Sequence, residues 1–128
     1  MSYQLEAIFD ETAFHIMALR DGLHCDAKDF LAKYEQDDLA GYARLWALIE
    51  YIAENGPPRN EHKFKKVSDL IYEIKGDGIR LFCFYQKKSR RILILTHGWR
   101  KAGEHKTQQN SEIQKAERIA IAYLSSQR

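Results

Sequence analysis

Three runs decide the fold: Leu70-Ile71-Tyr72-Glu73-Ile74-Lys75, Arg80-Leu81-Phe82-Cys83-Phe84-Tyr85-Gln86 and Arg91-Ile92-Leu93-Ile94-Leu95-Thr96. Each is short and rich in β-branched and aromatic residues. Gly76-Asp77-Gly78 separates the first from the second, and Lys87-Lys88-Ser89-Arg90 the second from the third. Short apolar runs bounded by turn residues predict a three-stranded antiparallel meander. The third run is apolar at consecutive positions, so it is expected to be central or covered on both faces.

Cations crowd the ends and edges of these strands: Lys63, Lys65, Lys66, Lys75, Arg80, Arg100, Lys101 and Lys106. Residues 1–62 hold five Lys and Arg against twelve Asp and Glu, whereas residues 63–128 hold fifteen against six. The formal net charge of +2 conceals this split. An acidic half packed on a basic half neutralises part of the excess, and the remainder leaves a positive face suited to a polyanion.

Working outward, Tyr3 to Phe9 alternates imperfectly and is followed by Phe14 to Leu19, which predicts a strand or a short hairpin. Asp26 is placed to cap a helix through Phe30, Leu31 and Tyr34. A second helix from Leu39 to Glu54 carries Leu45, Leu48, Ile49 and Ile52 on one stripe. Asn55-Gly56-Pro57-Pro58 stops it. The segment from Trp99 to Asn110 reads as irregular, and Ser111 with Gln114 as a capping box that opens a last amphipathic helix through Ile113, Ala116, Ala120 and Tyr123.

The 128 residues suit one domain. Cys25 and Cys83 have neither disulfide-framework nor zinc-ligand spacing and are expected to be reduced. No apolar run approaches the roughly 20 residues of a bilayer-spanning helix, so a cytoplasmic protein without membrane partners is expected.

The ordered series from Leu70-Ile71-Tyr72-Glu73-Ile74-Lys75 through Ile79-Arg80-Leu81-Phe82, Ile92 to Thr96 with His97-Gly98-Trp99-Arg100-Lys101, Lys106-Thr107, and Ser111-Glu112-Ile113 with Ala116-Glu117 resembles the RelE superfamily of bacterial toxins, in its HigB-like, phage-related branch. Trp99 stands where that branch usually has Phe, Arg100-Lys101 replaces a lysine pair, and Gln108 follows Lys106-Thr107 where proline is usual. The resemblance implies an α+β domain: a small twisted, mainly antiparallel sheet packed against two N-terminal helices, with a C-terminal helix. It also implies a ribosome-dependent mRNA endonuclease that needs no cofactor, partnered by the ribosome, mRNA and a cognate antitoxin of helix-turn-helix type. Relatives of the same fold class poison DNA gyrase instead, and a non-catalytic binding module would use the same patch.

RNA cleavage through attack of the neighbouring 2′-hydroxyl needs a base, cations for the phosphorane and an acid for the leaving oxygen. A lysine crowded by cations loses basicity and becomes available as a base near neutral pH. Arginine stays charged and presents a planar fork to phosphate. By carry-over from the motif positions, Arg80 binds the reacting phosphate and Lys75 acts as base or phosphate ligand. Arg100 and Lys101, following the third strand, supply a second cationic position, and His105 serves as general acid or base. Lys75, Arg80, Arg100 and Lys101 are expected to converge on one pocket. Lys63, Lys65, Lys66 and Lys106 guide the RNA backbone. Three positions keep a structural alternative: Arg80 as an ion-pair partner of Asp69 or Glu73, Trp99 either stacked on a base or packed under the final helix, and His105 as a plain loop histidine. Glu73 is expected to orient a cation, and Phe82, Phe84, Tyr85 and Tyr72 to be core.

Overall fold

The computed structural model describes residues 3–9, 13–101 and 106–127, except the side chain of Lys106. It is an α+β structure of six strands and three helices in the order β1 (Tyr3–Phe9), β2 (His15–Asp21), α1 (Asp26–Asp37), α2 (Leu39–Asn55), β3 (Phe64–Lys66), β4 (Tyr72–Gly76), β5 (Ile79–Gln86), β6 (Ser89–Arg100) and α3 (Lys106–Ser126). One sheet runs β1-β2-β6-β5-β4-β3. The meander β4-β5-β6 is antiparallel as the sequence predicts. The whole sheet is mixed, however, because β2 pairs with β6 in parallel. A β1–β2 hairpin also precedes the two helices, which are therefore internal to the chain rather than N-terminal.

The sheet separates two apolar layers. Ile16, Ala18, Ile74, Leu81, Leu93 and Leu95 face α1 and α2, whose Leu31, Leu45, Ile49 and Ile52 close that core. On the other face Phe82, Phe84 and Ile94 meet Ala116, Ala120 and Tyr123 of α3. Consecutive residues of β5 and β6 are thus buried on opposite sides, which accounts for the uninterrupted apolar run of the central strand β6.

Local chemistry sets the element ends. Asp26 is the first residue of α1 rather than its cap, which is Cys25; Asp26 and Asp29 instead place negative charge in the first turn. Asp38 caps α2 by accepting from the Gly41 N–H at 2.9 Å. Gly56 (φ 87°) ends α2 and donates its N–H to Ile52 O at 2.7 Å. Two boundaries differ from the sequence reading. Strand β6 continues through Gly98 to Arg100, and α3 begins at Lys106, so Ser111 lies inside the helix instead of capping it.

Strand β6 carries a bulge. Phe82 opposes His97 and Cys83 opposes Leu95, leaving Thr96 as the extra residue, with its Oγ1 3.3 Å from Phe82 O. One inserted residue reverses the facing of everything after it. His97 and Trp99 therefore turn toward α3, and Gly98 and Arg100 toward α1. Gly98 is tightly covered there: a Cβ at this position would collide with the Phe30 ring.

Candidate functional site

On the α3 side, Lys75 of β4 stands directly opposite Arg80 of β5, which stands opposite Trp99 of β6. In the next row Lys65, Glu73, Phe82 and His97 face one another across four strands. Period-two alternation therefore puts Lys65, Glu73, Lys75 and Arg80 on one face. Glu73 is 2% exposed and organises this cluster. Its Oε1 lies 3.6 Å from Arg80 Nε and 3.9 Å from Lys75 Nζ. Gln109 of α3 donates to Glu73 Oε2 at 3.0 Å.

Arg80 is anchored at its base. Nη1 donates to Ile79 O at 2.8 Å and to Gly76 O at 3.3 Å. Its Nε is buried and reaches Glu73 only at ion-pair range, too far for a hydrogen bond. Of the two structural partners that the sequence offered, Arg80 takes Glu73. The Lys75 ammonium is held below the ordinary lysine pKa, first by burial, against the opposing pull of Glu73, with Arg80 and Lys65 lowering it further. Desolvation thus outranks cationic crowding, the cause expected from the sequence.

The expected convergence of all the cations is not found. Arg100 emerges on the α1 side of the sheet, where Nη1 lies 3.7 Å from Asp37 Oδ2 and the guanidinium sits 5.3 Å from the Tyr34 ring centroid. The Thr96 bulge is the reason: without it, position 100 would share the face of Ile94 and Arg80. Lys101 is half-buried and donates its backbone N–H to Gly78 O, beside the β4–β5 turn. Trp99 is 7% exposed and packs in the core beneath α3, so its ring is not open to a stacking base. Lys63, Lys65 and Lys66 are exposed on and before β3, with Lys66 on the opposite face from Lys65. His105 and the side chain of Lys106 lie outside the described residues.

Three contributors were not anticipated: Gln109, Glu112 and the bulge itself. Glu112 Oε1 accepts from Nε2 of the buried His97 at 3.1 Å, while His97 Nδ1 lies 3.1 Å from Thr96 Oγ1. Burial holds the His97 pKa below its ordinary value, with Lys115 acting in the same direction and Glu112 opposing. A signal for the two α3 residues does exist: positions 109, 112 and 116 continue the spacing of the apolar stripe backward, but the polar composition from Gln108 to Ser111 masks it.

Beside Lys75, a groove of about 700 Å³ opens between α2 and the β3–β4 edge, lined among others by Arg44, Tyr51, His62 and Lys63. Among the described residues, no group of three or more His, Cys, Asp or Glu side chains is placed to hold a metal ion. No helix among them is long and apolar enough to cross a membrane.

None of the curated proteins matches the chain. The family described as "Phage derived protein Gp49-like (DUF891)" matches residues 30–120, which takes in everything from the middle of α1 to most of α3. The chain therefore belongs to the Gp49-like family of phage-derived proteins, a toxin-like family of the RelE/Gp49 superfamily.

Proposed function

We propose that this chain is the toxin of a type II toxin–antitoxin pair, of the HigB-like branch, and that it cleaves mRNA on the ribosome through the face carrying Lys75 and Arg80. The observation that carries the reading is the juxtaposition of these two side chains on adjacent strands, with one buried carboxylate holding both. A lysine of lowered pKa beside a fixed guanidinium suits general-base and phosphate-binding roles.

In the proposed step the neutral Lys75 amine takes the proton of the 2′-hydroxyl. The 2′ oxygen attacks phosphorus, the bond to the 5′ oxygen breaks, and Arg80 balances charge on the non-bridging oxygens. A general acid returns a proton to the leaving 5′ oxygen, a role assigned to His105. The products are a 2′,3′-cyclic phosphate and a 5′-hydroxyl end. Lys63, which lines the groove beside Lys75, and the exposed Lys65, opposite Glu73 on the same face as Lys75, guide the backbone. Arg100, on the other face, is left out of the reacting site.

The test is to add purified protein to translating ribosomes and map the ends of the mRNA. New 5′-hydroxyl ends are expected; intact mRNA at protein concentrations saturating the ribosome would overturn the reading. A second reading, a non-catalytic module that binds a polyanion, is favoured by the pairing of both cations with Glu73, which leaves the three groups a net single positive charge. It predicts salt-dependent binding with no new RNA ends.

A further inference from the structure

The β5–β6 turn carries Lys87, Lys88, Arg90 and Arg91 within five residues, at the opposite end of β5 from Arg80. Six residues of extended chain put the two cationic regions about 20 Å apart. All four side chains belong to exposed residues, and none forms an ion pair with a carboxylate among the described residues. The turn is also built rather than loose. Gln86 Nε2 donates to Tyr123 Oη of α3 at 2.9 Å, and Gln86 Oε1 accepts from the Lys87 N–H at 2.9 Å. The Arg90 guanidinium lies 4.2 Å from the Tyr85 ring centroid.

Next to these cations is a groove of about 490 Å³ between the hairpin and the C-terminal end of α3, lined by Leu70, Tyr85, Lys87, Arg90, Ile121 and Leu124 together with Gln86 and Ser125. Ile121 is 52% exposed, one of few large apolar side chains left open. The floor is apolar and the rim is cationic. A nucleic-acid backbone would satisfy the rim and leave Leu70, Ile121 and Leu124 in water. A helix with an apolar stripe flanked by carboxylates satisfies both, because its i, i+3, i+4 and i+7 side chains cover the floor while the flanking acids meet the rim.

We infer that the groove between the β5–β6 turn and the end of α3 is a docking surface for an acidic amphipathic helix of a partner protein, distinct from the Lys75–Arg80 face. A second copy of this chain fits less well: its acidic half would meet the groove head to tail, a contact that does not close into a dimer.

The test titrates the full, isotopically labelled chain with a 16-residue helical peptide bearing leucines on one face and glutamates on both flanks. A scrambled peptide of the same composition and a 12-residue oligouridylate are the comparisons. The amphipathic peptide is expected to shift the amide signals of Leu70, Lys87, Arg90, Ile121 and Leu124. Ile121→Asp and the double change Lys88→Glu, Arg90→Glu should each raise its dissociation constant about tenfold or more. These positions are exposed, and a retained amide spectrum confirms that each variant is folded. Equal binding of the scrambled peptide would overturn the inference, as would oligouridylate binding there more tightly, no shifts in the groove, or self-association of the free chain that Ile121→Asp abolishes.

Discussion

Glu73 and Arg80 sit on a diagonal of the β4–β5 ladder, with Arg80 Nε 3.6 Å from a carboxylate oxygen of a residue only 2% exposed. A buried carboxylate demands partners. Here it has two cations and the Gln109 amide, drawn from β4, β5 and α3. The pair therefore links the proposed reacting groups to the seating of the last helix. Any perturbation of Glu73 reaches chemistry and stability together.

Glu73→Gln keeps the side-chain shape and removes the charge. Lys75 and Arg80, with side chains 19% and 14% exposed, then face each other uncompensated. Breaking one partner out of a buried ion pair costs about 3 kcal/mol, and urea denaturation should register a loss of that order. Because the Glu73 charge is the chief influence opposing the lowering of the Lys75 pKa, the variant should lower it further. A loss below about 1 kcal/mol would show that the carboxylate is not the hub of the cluster.

Arg80→Ala and Arg100→Ala separate the two faces of the sheet. Removing a preorganised cation from a reacting phosphate costs about 100-fold in rate, so Arg80→Ala should lower cleavage on ribosomes by that much. Arg100 is half-exposed and paired with Asp37 on the α1 side. Its loss should leave cleavage within about threefold and cost no more than about 1 kcal/mol of stability. Equal losses in the two variants would return Arg100 to the reacting site.

The fates of Arg80 and Arg100 also show what a linear reading can see. Their shared motif and strand-end positions suggested one pocket, and strict alternation from Ile94 would have delivered it. A single extra residue, Thr96, reverses the face, and nothing in Leu95-Thr96-His97 announces a bulge. The meander itself was legible because Leu70 to Thr96 carries both its apolar runs and its turn residues. The end of β6 was not, since Gly98 resembles a terminator. In fact it lies within the strand, where Phe30 rests on it and leaves no room for a Cβ. The start of α3 was misplaced for a related reason. Ser111 looks like a cap, but Gln109 before it is helical and reaches Glu73. The parallel β2–β6 pairing joins segments more than seventy residues apart in the chain, and no local pattern encodes such a pairing.

Trp99 should report on packing rather than on RNA. The indole is buried and its Nε1 has no hydrogen-bond partner among the described residues, so Trp99→Phe removes a donor unsatisfied by them along with some volume. Its expected cost is under about 1.5 kcal/mol, against about 3–5 kcal/mol for Trp99→Ala, which leaves a cavity beneath α3. In a Trp46→Phe background, oligouridylate should leave Trp99 emission unchanged. Strong quenching would instead place a base against the ring.

His97 makes stability sensitive to acid. It is 2% exposed on β6, and its Nε2 donates to Glu112 of α3. Its folded pKa lies below the ordinary 6.5 because burial disfavours the imidazolium, and Lys115 adds to the effect while Glu112 and Asp26 oppose it. Between the folded pKa and 6.5 the unfolded chain binds more protons, so this contribution to stability falls as pH drops through that window and stays flat below it. His97→Gln retains a donor toward Glu112 and removes the titration. Melting temperatures taken from about pH 7.5 down to about pH 5 should therefore fall less steeply in the variant than in the parent. Since His97 contacts α3 directly, the protection of α3 amides in the parent, taken relative to intrinsic exchange at each pH, should fall over the same range. Parallel melting curves in the two proteins would mean that protonation of His97 is not what loosens the helix.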